Sequence, residues 1–382
     1  MFSRIAVALV LLAAVCAFPQ QPPAETLRFA VSGDSRNCGD VVMPAIAKSA
    51  NAHKVDFYWH LGDFRRFGMV TTDDDGLDED MRQQYHGQLD PKDYHRDAWG
   101  DFLSHQVAPF GLTRVYLGIG NHEIYQASDE ASSRVNFTSQ FAYWLDAPDL
   151  HSQRLADYKN KPGAADALNA YFHWKKGGVD FIYLDNAGAV GFENDQLAWL
   201  RLVLDADRTD SQVKSIVVGM HRALPYSWSC GHSMNETEPA RISGRKAYDW
   251  LVRWNQETRK NVYLLASHSH FLMQNIYDTP YWQNSVHGGV VLPGWLVGTA
   301  GAVRYLLPEN LPSTILAKTH TYGYLLAEVS AEGKVKFEYQ EMTESDVPEE
   351  VVARYGKDFI DQCFLSNRSL APQFADKSCE EH

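Results

Sequence analysis

Five apolar runs in this chain each stop abruptly at a short polar cluster, and this pattern limits the possible folds more than any other feature. Leu27–Ser32 ends in Gly33-Asp34-Ser35-Arg36, and Val55–Leu61 ends in Gly62-Asp63. Val115–Ile119 ends in Gly120-Asn121-His122-Glu123, Ser215–Met220 in His221, and Val262–Ala266 in Ser267-His268-Ser269-His270. Short apolar runs bounded by turn residues read as buried strands. The helix-like stretch Val41–Ala50 lies between the first two runs. Strand, helix, strand predicts a parallel sheet with Asp34 and Asp63 on one edge. Open α/β folds keep their chemistry at that carboxyl edge.

The remaining elements extend the same reading. Residues 67–113 form a long polar insertion, and its acidic run Asp73–Asp80 reads as a solvated loop. Residues 124–170 are helical and loop-rich, with Phe137, Phe141, Tyr143 and Trp144 expected to pack on the core. Tyr171–Trp174 and Val179–Leu184 flank Lys176-Gly177-Gly178 as a hairpin ending at Asp185-Asn186. Asn194 is placed to cap a helix through Leu204, and Lys246–Arg259 is amphipathic after a loop over 222–244. Val290–Val297, Tyr322–Val329 and Val335–Tyr339 complete the strands, with Gly298-Thr299-Ala300-Gly301 after the first of them. The chain divides into residues 1–17, a linker over 18–26, one α/β domain over 27–342 and a tail over 343–382.

With 382 residues, 45% of them hydrophobic, the chain can bury a large core. Arg4, the apolar run Ile5 to Val15 and the small-residue site Val15-Cys16-Ala17 read as a secretory signal peptide cut after Ala17. The run is short for a bilayer span and no other segment offers one, so an exported protein with no membrane span is expected. Export leaves Cys38, Cys230, Cys363 and Cys379, an even number suited to two disulfides with three possible pairings. Cys363–Cys379 is the local choice, pinning the tail, and leaves Cys38 with Cys230. The net charge of −13 disfavours a nucleic-acid polymer as partner and requires local positive charge for any anionic substrate. Sequons stand at Asn136, Asn235 and Asn367.

The strand ends together offer carboxylate, amide and imidazole donors without thiolates, which suits zinc, iron or manganese. A carboxylate bridging two such ions would make a two-metal hydrolytic site. In order, Gly33-Asp34, Gly62-Asp63, Gly120-Asn121-His122-Glu123, Val218-Gly219-Met220-His221 and His268-Ser269-His270 resemble the calcineurin-like metallophosphoesterase superfamily, which includes purple acid phosphatases. The helix Gln196–Leu200 after Asp185-Asn186 is similar as well, and the resemblance covers nearly all of residues 27–342. It implies a four-layer α/β/β/α sandwich with a metal site at the strand ends. It also implies two divalent or trivalent ions bridged by Asp63, one held with Asn121, His221 and His268, the other with Asp34 and His270. Metal-bound hydroxide would attack a small-molecule phosphate mono- or diester, with His122, steadied by Glu123, as general acid.

Two positions depart from the family pattern. Arg36 stands where the first motif has a histidine, and Arg66 where purple acid phosphatases have a ligand tyrosine. A guanidinium has no lone pair for a metal. Arg36 then either clamps a substrate phosphate beside a weakly held second ion, or marks a site with one metal or none. A relative that binds phosphorylated ligands without turnover, or a hydrolase of other esters, stays open here. If the motifs converge, a Cys38–Cys230 bridge crosses the mouth, and Arg222, Tyr226, Trp228 and His232 line it as leaving-group contacts or as rim packing. The Gly298–Gly301 amides could face a phosphate or serve a tight turn.

Overall fold

A computed structural model describes residues 26–65, 98–124, 129–159, 162–284, 288–309 and 311–367. The proposed signal peptide, the run Asp73–Asp80, Arg66 and Cys379 lie outside them. Among the described residues the strands form two sheets. The first contains β1 (Leu27–Ser32), β2 (Phe57–His60), β3 (Arg114–Leu117), β11 (Tyr322–Val329) and β12 (Val335–Met342), in the order β12-β11-β1-β2-β3. The second contains β4 (Phe172–Lys176), β5 (Val179–Leu184), β6 (Ser215–Met220), β7 (Asn261–Ala266), β8 (Leu272–Gln274), β9 (Gly294–Val297) and β10 (Ala317–Lys318), in the order β10-β8-β9-β7-β6-β5-β4. Each sheet contains a parallel segment: β1-β2-β3 on one side of the first and β5-β6-β7-β9 in the middle of the second.

Period-two alternation builds the layers. Phe57 and Trp59 face inward, where Phe57 meets Phe181 at 5.1 Å and Trp59 meets Trp174 at 5.1 Å, while Tyr58 between them stacks on Phe110 on the opposite face. On β6, Val217 joins the core shared with the first sheet, whereas Ile216, Val218 and Met220 join the core that takes in Leu197, Leu200, Leu251 and Trp254. Helix α1 (Gly39–Ala52) covers the first sheet through Val42, Met43 and Ile46. The longer helices that follow among the described residues are, in chain order, α2 (Glu130–Gln140), α3 (Pro148–Asp157), α4 (Asn194–Thr209) and α5 (Glu238–Thr258). Helices α4 and α5 cover the second sheet. The result is the expected four-layer α/β/β/α sandwich. No helix among the described residues is long and apolar enough to cross a membrane.

Several local expectations are corrected. Helix α5 begins eight residues before Lys246, because Thr237 accepts the Ala240 N–H and Pro239 sits in the first turn. The residue before helix α4 is Glu193, with Asn194 already helical. Phe137 and Phe141 are buried, but Tyr143 is 77% exposed, on the far side of its helical turn.

Neither expected disulfide forms. Cys38 bonds Cys363, 325 positions away, and so is not joined to Cys230, which is also disulfide-bonded. Long-range docking of the tail outweighs the short loop. Arg304 donates to the carbonyls of Phe364 and Asn367 (2.9 Å each), and Asn367 donates Nδ2 to the Tyr322 hydroxyl (2.6 Å). The Asn367 amide nitrogen of that sequon is thus held inside, while Val347, Val351 and Ile360 join the core around the first sheet.

One buried ion network sets a pH dependence. His173 on β4 donates Nδ1 to Asp180 (2.7 Å) and Nε2 to Asp157 (2.8 Å), which makes the ring an imidazolium. Burial alone would lower its pKa, but the Asp180 and Asp157 carboxylates prevail and push it from 6.5 up to about 10. The folded pKa lies above the unfolded one, so this stabilisation is complete below pH 6.5 and is lost as pH rises through about 10. Urea titrations between these limits should show His173 adding a downward slope approaching ~1.4 kcal/mol per pH unit. His173→Gln should remove that part of the slope, and equal slopes in the two proteins would contradict the assignment.

Candidate metal centre

The C-terminal edges of the two parallel segments meet. Gly33, just past β1, donates its N–H to Val297 at the end of β9 (3.0 Å), and Asp34 donates its own to Gly62 (3.0 Å). The Leu61 carbonyl accepts from His221 Nδ1 (3.0 Å) and Ser267 Oγ (3.1 Å). Asp34, Asp63 and His268 adopt left-handed backbone conformations (φ 61°, 61° and 68°). Such conformations cost about 1–3 kcal/mol each and cluster at functional sites. Gly120 is required by space, since a Cβ there would lie 2.2 Å from Asp63 Oδ1.

Asp63 is the hub. Its Oδ1 accepts the His122 N–H (3.0 Å) and lies 3.3 Å from His221 Nε2, while its Oδ2 is 3.7 Å from both Arg36 Nε and His122 Nε2. Two ligand triads share it: Asp63, His221 and His268 on one side, Asp34, Asp63 and His270 on the other. Asn121 Oδ1 stands 2.9 Å from His221 Nε2 and completes the first group. In the second, His270 Nε2 lies 3.2 Å from Asp34 Oδ1, and Arg36 Nη2 lies 3.4 Å from the same nitrogen. All six expected ligand residues, with His122 and Arg36, therefore converge.

The donor set suits a cation. The Leu61 carbonyl can only accept, so His221 Nδ1 carries a proton and its Nε2 faces Asn121 Oδ1 and Asp63 Oδ1. His270 Nδ1 likewise donates to the Val303 carbonyl (2.6 Å), and its Nε2 faces Asp34. A carbonyl partner of this kind fixes the tautomer and orientation of a metal-binding imidazole. Asp63 Oδ2 and Asp34 Oδ1 are buried and have no hydrogen-bond donor. The first group presents carboxylate, amide and imidazole donor atoms together, and a divalent ion fits. In the second, a guanidinium stands among the same kinds of atoms.

Electrostatics follow from this packing. Burial would raise the Asp63 carboxyl, but His221, His122 and Arg36 hold it well below the usual range. Burial would lower His221, but Asp63 and Asp34 push it up to about 9. His268 is lowered to about 4, mainly by burial.

Glu123 does something other than the sequence implied. Its Oε2 accepts the N–H groups of Asp63 (2.8 Å) and Gly120 (2.7 Å), and its Oε1 accepts that of Phe64 (2.8 Å). It ties two strand-end loops together and is not directed at the His122 ring. Burial and the neighbouring Asp63 raise its carboxyl to about 8, against the three N–H donors.

Glu236 was invisible in the sequence. Its Oε1 lies 3.0 Å from His268 Nε2 and its Oε2 3.5 Å from Arg222 Nη2, so it orients His268 from behind. Burial raises its carboxyl, but the His268 contact and Arg222 hold it down at about 2. Its only sequence signal is its place in the loop after His221. Of the expected rim residues, His232 faces His268 (5.4 Å between rings), whereas Tyr226 stacks on Tyr281 and Trp228 donates to the Asp278 carbonyl. The amides of Ala300 and Ala302 donate to the carbonyls of Gly33 and Asp34, so this glycine-rich segment serves as packing for the β1 loop.

Paired sheets flanked by helices, with the polar cluster where their parallel strands end, form a fold shared with known structures. The chain is similar to purple acid phosphatase PPD1 from yellow lupin (Lupinus luteus) seeds, with a TM-score of 0.53 and 15% identity over 83% of this chain and 51% of that one. It is also similar to PhoD, with a TM-score of 0.52 and 13% identity over 83% of this chain and 68% of that one. The chain thus spans about half the length of the lupin protein. No family model and no curated protein matches the sequence.

Proposed function

We propose that this protein is an exported, metal-dependent hydrolase of small-molecule phosphoesters. The observation that carries the reading is Asp63, a buried carboxylate shared by two converging ligand groups at the strand ends. Asp63, Asn121, His221 and His268 are the residues proposed to hold an ion. A divalent or trivalent ion such as zinc, iron or manganese supplies Lewis acidity toward a phosphoryl oxygen and makes water acidic near neutral pH. Glu236 and the Leu61 carbonyl keep the two imidazoles oriented for it. Arg36, a fixed cation beside Asp63, faces a phosphoryl oxygen and neutralises part of its charge. Phosphate recognition through these cations is compatible with the chain's net negative charge. The Cys38–Cys363 bond and the bonded Cys230 support an oxidising compartment.

His122 is the proposed general acid. Its side chain is 17% exposed, and its Nε2 stands 3.7 Å from Asp63 Oδ2, at the solvent side of the hub. Protonating a leaving oxygen matters most when that oxygen is a poor leaving group. His122→Ala should therefore lower kcat by about 10²–10⁴-fold on alkyl phosphoesters and far less on p-nitrophenyl esters. Equal losses on both would remove His122 from the proton transfer.

A further inference from the structure

We infer that the Arg36 guanidinium takes the place of a second metal ion, so that the site holds a single ion beside a built-in organic cation. The inference rests on the metal-dependent reading above and specifies its second half. Asp34, Asp63 and His270 bring two carboxylates and an imidazole together in a fully buried space. Two buried carboxylates require positive charge nearby. Arg36 supplies it from within, with Nε 3.7 Å from Asp63 Oδ2 and Nη2 3.4 Å from His270 Nε2. The bare nitrogen of His270, which would be a metal's ligand, faces a guanidinium N–H instead, because His270 Nδ1 is committed to the Val303 carbonyl. A guanidinium keeps its charge at every accessible pH and offers no lone pair, so it cannot become a ligand.

The backbone around Arg36 keeps it there. Ser35 donates its N–H to the Asp63 carbonyl and Cys38 donates to Gly301 (3.0 Å each). Asn37, at φ 61°, accepts the Val303 N–H on its side chain (3.0 Å), and Cys38 is covalently tied to Cys363. The Tyr305 ring stacks on His270 at 4.0 Å and also interacts with Arg36. Arg36 itself is only 5% exposed. A loop pinned on both sides of the residue, with the side chain 7% exposed, holds the guanidinium in place. A fixed cation at this position still performs one task of a second ion, holding a phosphoryl oxygen, but it cannot bind or acidify a water.

The test is metal stoichiometry, read independently of turnover. Full-length protein, Arg36→His and Arg36→Ala would be dialysed against Mn²⁺ and, separately, Zn²⁺. Bound metal would be counted by mass spectrometry, with circular dichroism to verify folding and electron paramagnetic resonance on the Mn²⁺ samples. One ion in the wild type and two in Arg36→His, with the spectrum changing from an isolated to an exchange-coupled Mn²⁺ signal, is the expected result. Two ions in the wild type would overturn the inference and leave the metal-dependent reading intact, and this holds even if the variants misfold. One ion in the wild type and in both folded variants would also overturn it, since Arg36 would not be what closes the half-site. No ion in any of the proteins would overturn the metal-dependent reading itself.

Discussion

Asp63→Ala should abolish both metal retention and phosphoester hydrolysis, with kcat/KM falling by about 10³-fold or more, the scale seen when one member of a cooperating catalytic unit is removed. The expectation follows from the number of groups that converge on this carboxylate. Its Oδ1 faces His221 Nε2 at 3.3 Å and accepts the His122 N–H, and its Oδ2 faces Arg36 and the His122 ring. Removing it leaves Arg36 as a buried charge with one fewer carboxylate partner and takes the shared donor from both ligand groups. Asp63→Asn separates charge from shape: the amide oxygen can still accept the His122 N–H, but its NH₂ then confronts Arg36 or His221. Metal content and turnover should fall together in both variants. A variant that loses metal but retains at least a tenth of the activity would contradict a reaction that runs through the metal held by Asp63.

The largest stability effect is expected at Glu123. Three backbone N–H groups, those of Asp63, Phe64 and Gly120, donate to its carboxylate in the interior. Each donor left without a partner costs about 1–3 kcal/mol, so Glu123→Ala should lower the unfolding free energy by roughly 3–5 kcal/mol. Glu123→Gln fills the same volume but turns one acceptor into a donor, and should cost about 1–3 kcal/mol. Both variants should also lose turnover, because a loop that positions Asp63 would be displaced. Urea titration measures the first effect. If Glu123 served His122 instead, Glu123→Gln would move the pH profile of kcat and leave stability nearly untouched.

Much of the site was legible because each ligand residue directly follows an apolar run. A run that stops in Gly-Asp or Gly-Asn-His states both the strand and the polarity of its end, and parallel strands place such ends on one edge. That is why Asp34, Asp63, Asn121, His221, His268 and His270 could be named before their distances were known. Glu236 lacked such a marker: it sits in a loop whose path is set by packing against Ala223 and by the start of α5. The same loop concealed Thr237 as a helix cap. Glu123 was assigned to His122 by adjacency in sequence, whereas the strand-end turn directs its carboxylate to the loop after β2. Cys38 and Cys363 could not be paired by loop length, because tertiary docking of the tail through Arg304 and Asn367 decides that contact.

The central claim is that the strand-end cluster hydrolyses phosphoesters through a bound metal. The most direct measurement is hydrolysis of chromogenic phosphate mono- and diesters by the purified protein before chelation, after chelation, and after return of Zn²⁺, Mn²⁺ or Fe²⁺. The account predicts turnover that disappears with the metal and returns with at least one of the three ions. A protein that binds the ions yet hydrolyses neither ester class, or one whose turnover survives complete chelation, would contradict it.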